Sequence, residues 1–422
     1  MKFVLASYGT RGDVEPCVAV GRELLRRGHD VRMAVPPDLV GFAESAGLIA
    51  VPYGLDMEEP WEVTRNFWTY FFHNFWKIPD LIRLWREGWE LFARCSRETS
   101  TTLRSLADGA DLLFTGPGFE NVAANIAEYY DIPLATLHWF PLRANGQLVP
   151  VLPATVARSV MTVYEWLAWR LNKKLEDAQR ADLGLPKATA PASRRIAERG
   201  SLEIQAYDEA CFPGLAAEWA KGNGRRPFVG TLTIELPTAV DDEVTSWIEA
   251  GTPPIFFGFG STTVESPAET LATISAACAE LGERALVCAG WSDFSQAPDA
   301  EHVKVVSEMN YAATFPACRA VVHHGGTGTT AAGLRAGVPT LILWMLPDQR
   351  IWAGVVSRLK VGTARRFSST TRESLVADLR RILAPDYLAR AREIAARMTR
   401  SAESIATAAD LVENSARLGR VG

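Results

Sequence analysis

The chain has 422 residues, with 44 Lys and Arg against 49 Asp and Glu and a formal net charge of −5. That length suits two domains with an ample core, and 48% hydrophobic against 22% charged residues argues against disorder. The charge balance gives no support for a nucleic-acid footprint. Six cysteines (Cys17, Cys95, Cys211, Cys278, Cys288, Cys318) form no C-x-x-C pair, which fits a reduced, cytoplasmic chain. The apolar run Phe3–Ala6 is too short for a signal peptide, and no run of about twenty apolar residues predicts a membrane span. One count stands out: 13 tryptophans, many of them in one short stretch.

The opening predicts a strand at Lys2–Ser7, a glycine turn at Gly9–Asp13, a helix from about Glu15 to Arg27 and a strand at Asp30–Val35. Pro16 marks the first turn of that helix, and Gly28 lies just past its end. This is a βαβ unit, and it recurs with Asp111–Thr115, a helix through about Tyr130, and Pro133–His138. Between Asp56 and about Arg104 the pattern turns helical and aromatic, with Trp61, Trp68, Trp76, Trp85 and Trp89; a second helical insertion spans Pro153–Leu183. The glycine-rich, basic stretch 220–227 reads as a linker. Beyond it the pattern restarts, with strands at Pro254–Phe259, Arg284–Ala289, Val303–Val306, Ala320–His324 and Pro339–Trp344. Helices are expected at Pro267–Leu281 and Thr329–Ala336, and a charged, alanine-rich helical pattern fills Tyr387 to about Leu418. The fold class is therefore α/β, two doubly wound halves whose ligands bind at the carboxyl ends of the strands.

Four strand ends carry chemistry. In Val321-Val322-His323-His324-Gly325-Gly326-Thr327-Gly328-Thr329-Thr330 a strand runs into a glycine turn and a helix N-terminus, where amides, hydroxyls and a histidine suit an anion. An ordinary strand-to-helix turn capped by Thr would read the same way. Gly258-Phe259-Gly260-Ser261 is a second glycine-rich strand end, and it lacks the third glycine of a dinucleotide fingerprint. Asp13 ends the first βα turn, as a helix cap or as a general base. Asp348-Gln349 suits vicinal hydroxyls or a surface loop. No D-x-D pair and no His/Asp/Glu cluster appears at metal-ligand spacing, so no metal cofactor is expected.

Taken together, these segments resemble the GT-B fold, family-1 glycosyltransferases, the group that includes glycopeptide-antibiotic and sterol enzymes and, most similar, mycobacterial glycolipid enzymes. The resemblance rests on Gly9-Thr10-Arg11-Gly12-Asp13-Val14-Glu15-Pro16, Ala289-Gly290-Trp291, the His323–Gly333 segment and Pro347-Asp348-Gln349, in family order. It implies two facing Rossmann-like domains with a deep interdomain cleft. Residues 1–220 would bind the acceptor, 221–240 would link, 241–386 would bind a nucleotide-sugar donor, and 387–422 would cross back as a helix. It also implies site roles. Asp13 would be the base; Arg11, Gly12, Ser261, His324, Gly326, Thr327, Gly328 and Thr329 would hold the donor diphosphate. Trp291 and Val306 would take the base ring, and Asp348 and Gln349 the donor sugar. Two departures stand out: Thr327 replaces the usual Ala, and Arg350 stands where Pro is common.

The implied reaction is metal-independent, inverting transfer of a hexose or deoxyhexose from a UDP- or dTDP-sugar. The aromatic insertion points to a hydrophobic, lipid-linked acceptor, with His138, Trp139, Arg143, Trp68 and Phe72 lining its site. Contact with a membrane surface is expected, at the inner face of the plasma membrane, for a monomer or weak dimer. A nucleotide-sugar epimerase and a non-catalytic binding module are the competing classes.

Overall fold

The computed structural model describes residues 1–60, 63, 70, 76–148, 152–220, 224–294 and 300–419. Trp68 and Phe72, expected in the acceptor site, lie outside them, as does Trp61.

The chain divides into two units, Met1–Thr233 together with the chain from Ser401, and Ile234–Arg400. The first is built on β1 (Lys2–Ala6), α1 (Arg11–Arg26), β2 (Asp30–Val35), β3 (Ile49–Pro52), α2 (Ile78–Ala107), β4 (Leu112–Thr115), α3 (Glu120–Tyr130), β5 (Leu134–His138), α4 (Ala154–Asp182) and β6 (Leu202–Gln205). Its six strands are parallel in the order β3-β2-β1-β4-β5-β6. Phe3 on β1 pairs with Val31 on one side and Leu112 on the other. Both faces carry helices, so the central strands read as unbroken apolar runs: Phe3, Val4, Leu5 and Ala6 are fully buried, as are Leu112, Leu113 and Phe114.

The second unit repeats the plan with β7 (Ile255–Gly258), α5 (Pro267–Leu281), β8 (Ala285–Cys288), β9 (Val303–Val306), β10 (Ala320–His323), α6 (Thr327–Ala336), β11 (Thr340–Trp344), α7 (Gln349–Leu359), β12 (Gly362–Arg366), α8 (Arg372–Ile382) and α9 (Pro385–Ala395). The strand order is β12-β11-β10-β7-β8-β9. Each sheet therefore reverses its winding once, between β1 and β4 in the first and between β7 and β10 in the second. These switch points are where strand-end loops diverge and open a crevice.

The chain re-enters the first unit at Ser401, while α9 packs on α6 of the second. The last helix, α10 (Ser401–Leu418), lays a small-residue face of Ser404, Ala408, Ala409, Val412 and Ala416 against its own unit, α1 included. Arg27 bonds Asp410 at 2.6 Å and Glu413 at 3.3 Å, and His29 meets Glu413 at 2.6 Å. Two helix starts differ from expectation. The first helix begins at Arg11 rather than Glu15, because Thr10 and Asp13 cap it together. The helix after the histidines begins at Thr327 rather than Thr329, directly on the glycine turn. No helix among the described residues is long and apolar enough to cross a membrane.

Candidate functional site

In the first unit the β1 and β4 loops meet at the switch point. The Asp13 carboxylate folds back over Gly9: its Oδ2 accepts from Thr10 N–H at 2.7 Å and from the Thr10 hydroxyl at 3.0 Å. Gly9 has φ +146°, and a Cβ there would lie 2.4 Å from Asp13 Oδ2, so only glycine leaves room for the carboxylate. Ser7 Oγ donates to the Asp13 carbonyl at 2.8 Å, tying the loop to the strand end. Asp13 is thus a member of the cap and also a half-buried carboxylate at the strand end. Arg11 and Gly12 are exposed beside it; the Arg11 guanidinium stands 4.7 Å over the Phe42 ring and 3.6 Å from Glu15.

On the β4 side, a Cβ on Gly116 would lie 3.3 Å from the Trp139 ring, so Trp139 reaches this switch point. His138 and Arg143 do not line an acceptor wall there. His138 is fully buried and its Nε2 meets Glu120 Oε1 at 2.9 Å. Arg143, 4% exposed, donates to both Glu120 oxygens at 2.9 and 2.8 Å and to Glu203 through Nε. Arg226 caps the chain of charges at the other Glu203 oxygen, 2.9 Å away. Burial pushes the Glu120 carboxyl up, yet Arg143 and then His138 overcome it and hold its pKa down to about 2. Burial, with Arg143 behind it, lowers the His138 pKa. Two residues expected on a surface are parts of an internal ion network, because buried charges persist only when paired.

In the second unit the loops after β7, β8, β10 and β11 converge. The His324 ring lies against two glycines: a Cβ on Gly260 would come within 2.8 Å of its Cε1, and one on Gly326 within 2.6 Å of its Nε2. Gly290, at φ +57°, lets the next loop close on this one, since a Cβ there would stand 2.1 Å from the Gly260 carbonyl oxygen. That carbonyl accepts the Trp291 amide at 3.1 Å, and the Trp291 ring is left 42% exposed. Ser261 is half-buried on the same loop. The first turn of α6, Thr327 to Thr329, leaves amides without intrahelical acceptors, and the peptide dipoles give that end a partial positive charge.

The two adjacent histidines do different things. His323 is sealed in the sheet, and its Nδ1 accepts the Gly325 amide at 3.0 Å, which places the proton on Nε2. His324 points into the glycine turn; burial pushes its pKa down to about 4, so it is a neutral imidazole at neutral pH.

Two other expectations are corrected. The Val306 side chain is core, packed with Leu286, Cys288 and Phe315. Gln349 is 4% exposed, and its Oε1 accepts from the Met345 and Leu346 amides at 2.7 and 3.0 Å while Nε2 donates to Thr262 at 3.4 Å. It shapes the loop after β11 instead of presenting its oxygen to a sugar. Asp348, exposed at the start of α7, has its carboxyl pKa raised by partial desolvation. Arg350 stands 5.2 Å over the Trp344 ring. Among the described residues no group of three or more His, Cys, Asp or Glu side chains is set to hold a metal ion.

The comparisons with known proteins agree with this layout. Residues 3–108 match the glycosyltransferase family 28 N-terminal domain, and 279–416 match the erythromycin biosynthesis protein CIII-like C-terminal domain. An uncharacterized glycosyltransferase of Mycobacterium tuberculosis is 60% identical over the whole of both chains. A sterol 3-beta-glucosyltransferase of Arabidopsis thaliana is 27% identical over 97% of this chain and 67% of its own. Among solved structures, the calicheamicin glycosyltransferase superimposes with a TM-score of 0.71 at 20% identity, covering 100% of this chain and 99% of that one. The glycosyltransferase VinC in complex with dTDP gives 0.65 at 18% identity, covering both chains fully.

Proposed function

The chain belongs to the glycosyltransferases of the GT-B fold, and from that premise we propose that it is a metal-independent, inverting enzyme. It moves a hexose or deoxyhexose from a UDP- or dTDP-sugar to a hydroxyl of a hydrophobic, lipid-linked acceptor. The observation that carries this reading is that each unit's switch point holds its own chemistry. One offers a carboxylate, Asp13; the other offers a neutral imidazole, a glycine turn and a helix N-terminus.

In the reaction, Asp13 takes the proton of the acceptor hydroxyl as its oxygen bonds to the anomeric carbon. The bond from that carbon to the diphosphate oxygen breaks on the opposite face, so one displacement inverts the centre. Negative charge grows on the leaving diphosphate. The α6 amides, Ser261 and the His324 N–H donate where that charge develops. Trp291, exposed and pinned through its amide, suits stacking on the pyrimidine, and Asp348 suits the donor sugar's hydroxyls. VinC's complex with dTDP supports a nucleoside diphosphate as the donor's handle.

The apolar acceptor is supported by the first unit's surface. On α4, Val160, Val163, Leu167 and Leu171 recur at three- and four-residue spacing, and each is at least half exposed. Ile78, Ile82 and Trp85 add an exposed apolar edge on α2. Such a surface suits a hydrophobic substrate and shallow contact with a bilayer. The sterol named for the Arabidopsis relative is an acceptor of that kind.

The test is a thermal-shift screen of UDP- and dTDP-sugars, then transfer from the best donor to a lipid extract, with and without EDTA. Asp13→Asn should lower turnover at least a hundredfold and keep donor affinity. Near-normal turnover removes Asp13 from the role of base. A donor epimerised without acceptor overturns transfer in favour of an epimerase, and donor bound without release of nucleoside diphosphate favours a binding module.

A further inference from the structure

The rings exposed on α2 continue inward as a single file. Trp85 and Trp89 stack with centroids 5.7 Å apart, and Trp89 lies 6.1 Å from Phe92. Phe92 stacks on Phe119 at 5.1 Å, and Phe119 meets Tyr8 edge-on at 5.1 Å. Trp85 and Phe92 are exposed, Tyr8 is half-buried and Phe119 is buried, so the file runs from the surface into the unit. Trp85 and Phe92 are two helical turns apart, roughly 10 Å along the axis. The inner end, Tyr8, directly precedes Gly9, the residue covered by the Asp13 carboxylate.

The inner rings are held in place at a cost. Phe119 has φ 60°, a conformation that bulky residues rarely adopt and that costs of order 1–3 kcal/mol. Two neighbours impose it. A Cβ on Gly118 would lie 2.4 Å from the Tyr8 carbonyl oxygen, so this loop presses directly on the loop that follows β1. On the other side, Glu120 is fixed by Arg143 and His138. Core packing accounts for Phe119 and Tyr8, which cluster with Cys95, Val122 and Leu55. Among the described residues it does not account for Trp85, Trp89 and Phe92, which stack on one another toward the surface.

We infer that this file is the track for the acceptor's apolar body. The acceptor hydroxyl sits at the inner end beside Asp13, and an elongated hydrocarbon lies outward along α2 over Phe92, Trp89 and Trp85. The substrate class is a hydroxyl compound bearing an alkyl chain long enough to cover two helical turns. The inference rests on the reading of Asp13 as base for its chemistry, and binding along the track is measurable without any transfer.

The probes are n-alkyl β-glucosides from hexyl to dodecyl, each below its micelle-forming concentration, titrated calorimetrically into the full chain. Affinity should rise about fourfold per added methylene, the gain from burying one CH₂ group, and level off once the chain outruns Trp85. In Trp85→Ala combined with Trp89→Ala, the dodecyl compound should lose at least tenfold in affinity while the hexyl compound keeps its own. The donor-induced thermal shift reports that the variant is folded. Unchanged dodecyl binding in that variant, or affinity independent of chain length, overturns the track. Donor turnover with no effect of the variant sinks the track and leaves the transfer reading standing. Chain-length dependence without donor binding does the reverse.

Discussion

Arg143→Met is the perturbation with the sharpest expected signature. Arg143 is buried between two carboxylates, both Glu120 oxygens and one of Glu203. Methionine keeps much of the volume and removes the charge, leaving His138 and Arg226 as the partners of two desolvated carboxylates. Removing one member of a buried ion cluster costs about 3–5 kcal/mol, a large part of the 5–15 kcal/mol typical of a folded domain. The loss should depend on pH in a defined direction. In the parent protein Glu120 titrates near 2, below its unfolded value of about 4.3, so its contribution is present above about 4.3 and is lost as pH falls toward about 2. In the variant, burial acts without Arg143 and drives the carboxyl above its unfolded value. That group then binds more protons folded than unfolded, and stability falls as pH rises. The gap between the two proteins should therefore widen from pH 4.5 to pH 7. Urea unfolding followed by tryptophan fluorescence at both values measures it. A gap under about 1 kcal/mol at pH 7, or one that does not change with pH, refutes the account of the network.

Gly9→Ala places a Cβ 2.4 Å from Asp13 Oδ2 and should lower kcat at least tenfold with donor affinity kept; full kcat would show that the carboxylate's position is not critical. His324→Gln removes a group that titrates near 4 in the fold against about 6.5 unfolded. The parent should lose up to roughly 3 kcal/mol as pH falls from about 6.5 through about 4, because the unfolded chain takes the proton first. The variant should lose that part of the slope and keep the part that His138 and His323, also lowered by burial, supply; paired urea midpoints at pH 7 and 4.5 would report the difference. Gly290→Ala forces a Cβ against the Gly260 carbonyl at a positive φ and should cost about 1–3 kcal/mol. It should also weaken UDP or dTDP binding, read as a smaller thermal shift; an unaltered shift would separate this contact from the nucleotide.

The elements that define the fold were legible because their signals are local. Apolar runs ending in glycine mark β1, β7 and β10, and each glycine proves to be a place where another group presses on the backbone. What escaped the sequence depends on contacts between distant segments. Glu120, Arg143 and Glu203 are separated by 23 and 60 residues, and nothing near any of them signals a partner. His138 and Arg143 therefore read as part of an acceptor wall because they follow a strand end. The resemblance makes Gln349 a sugar ligand, although its oxygen is consumed by two amides three and four residues back. Pro16 suggested a later helix start; the cap formed by Thr10 and Asp13 sets it at Arg11, and the proline is accommodated inside the helix. Phe119 carried no signal at all, since its backbone angle is imposed by Tyr8 on one side and Glu120 on the other.

The placement of α10 bears on how the protein is made. The second unit, Ile234–Arg400, is continuous in the chain, whereas the first unit gathers its last helix from Ser401 onward. During synthesis the second unit can close as soon as its own residues have left the ribosome. The unit begun first must wait, Arg27 held only by Glu23 on its own helix, until Asp410 and Glu413 arrive to join Arg27 and His29. The order of completion thus reverses the usual amino-terminal-first order. A nascent chain stalled near residue 400 should hold a finished second unit and an unfinished first one, which limited proteolysis would cut first.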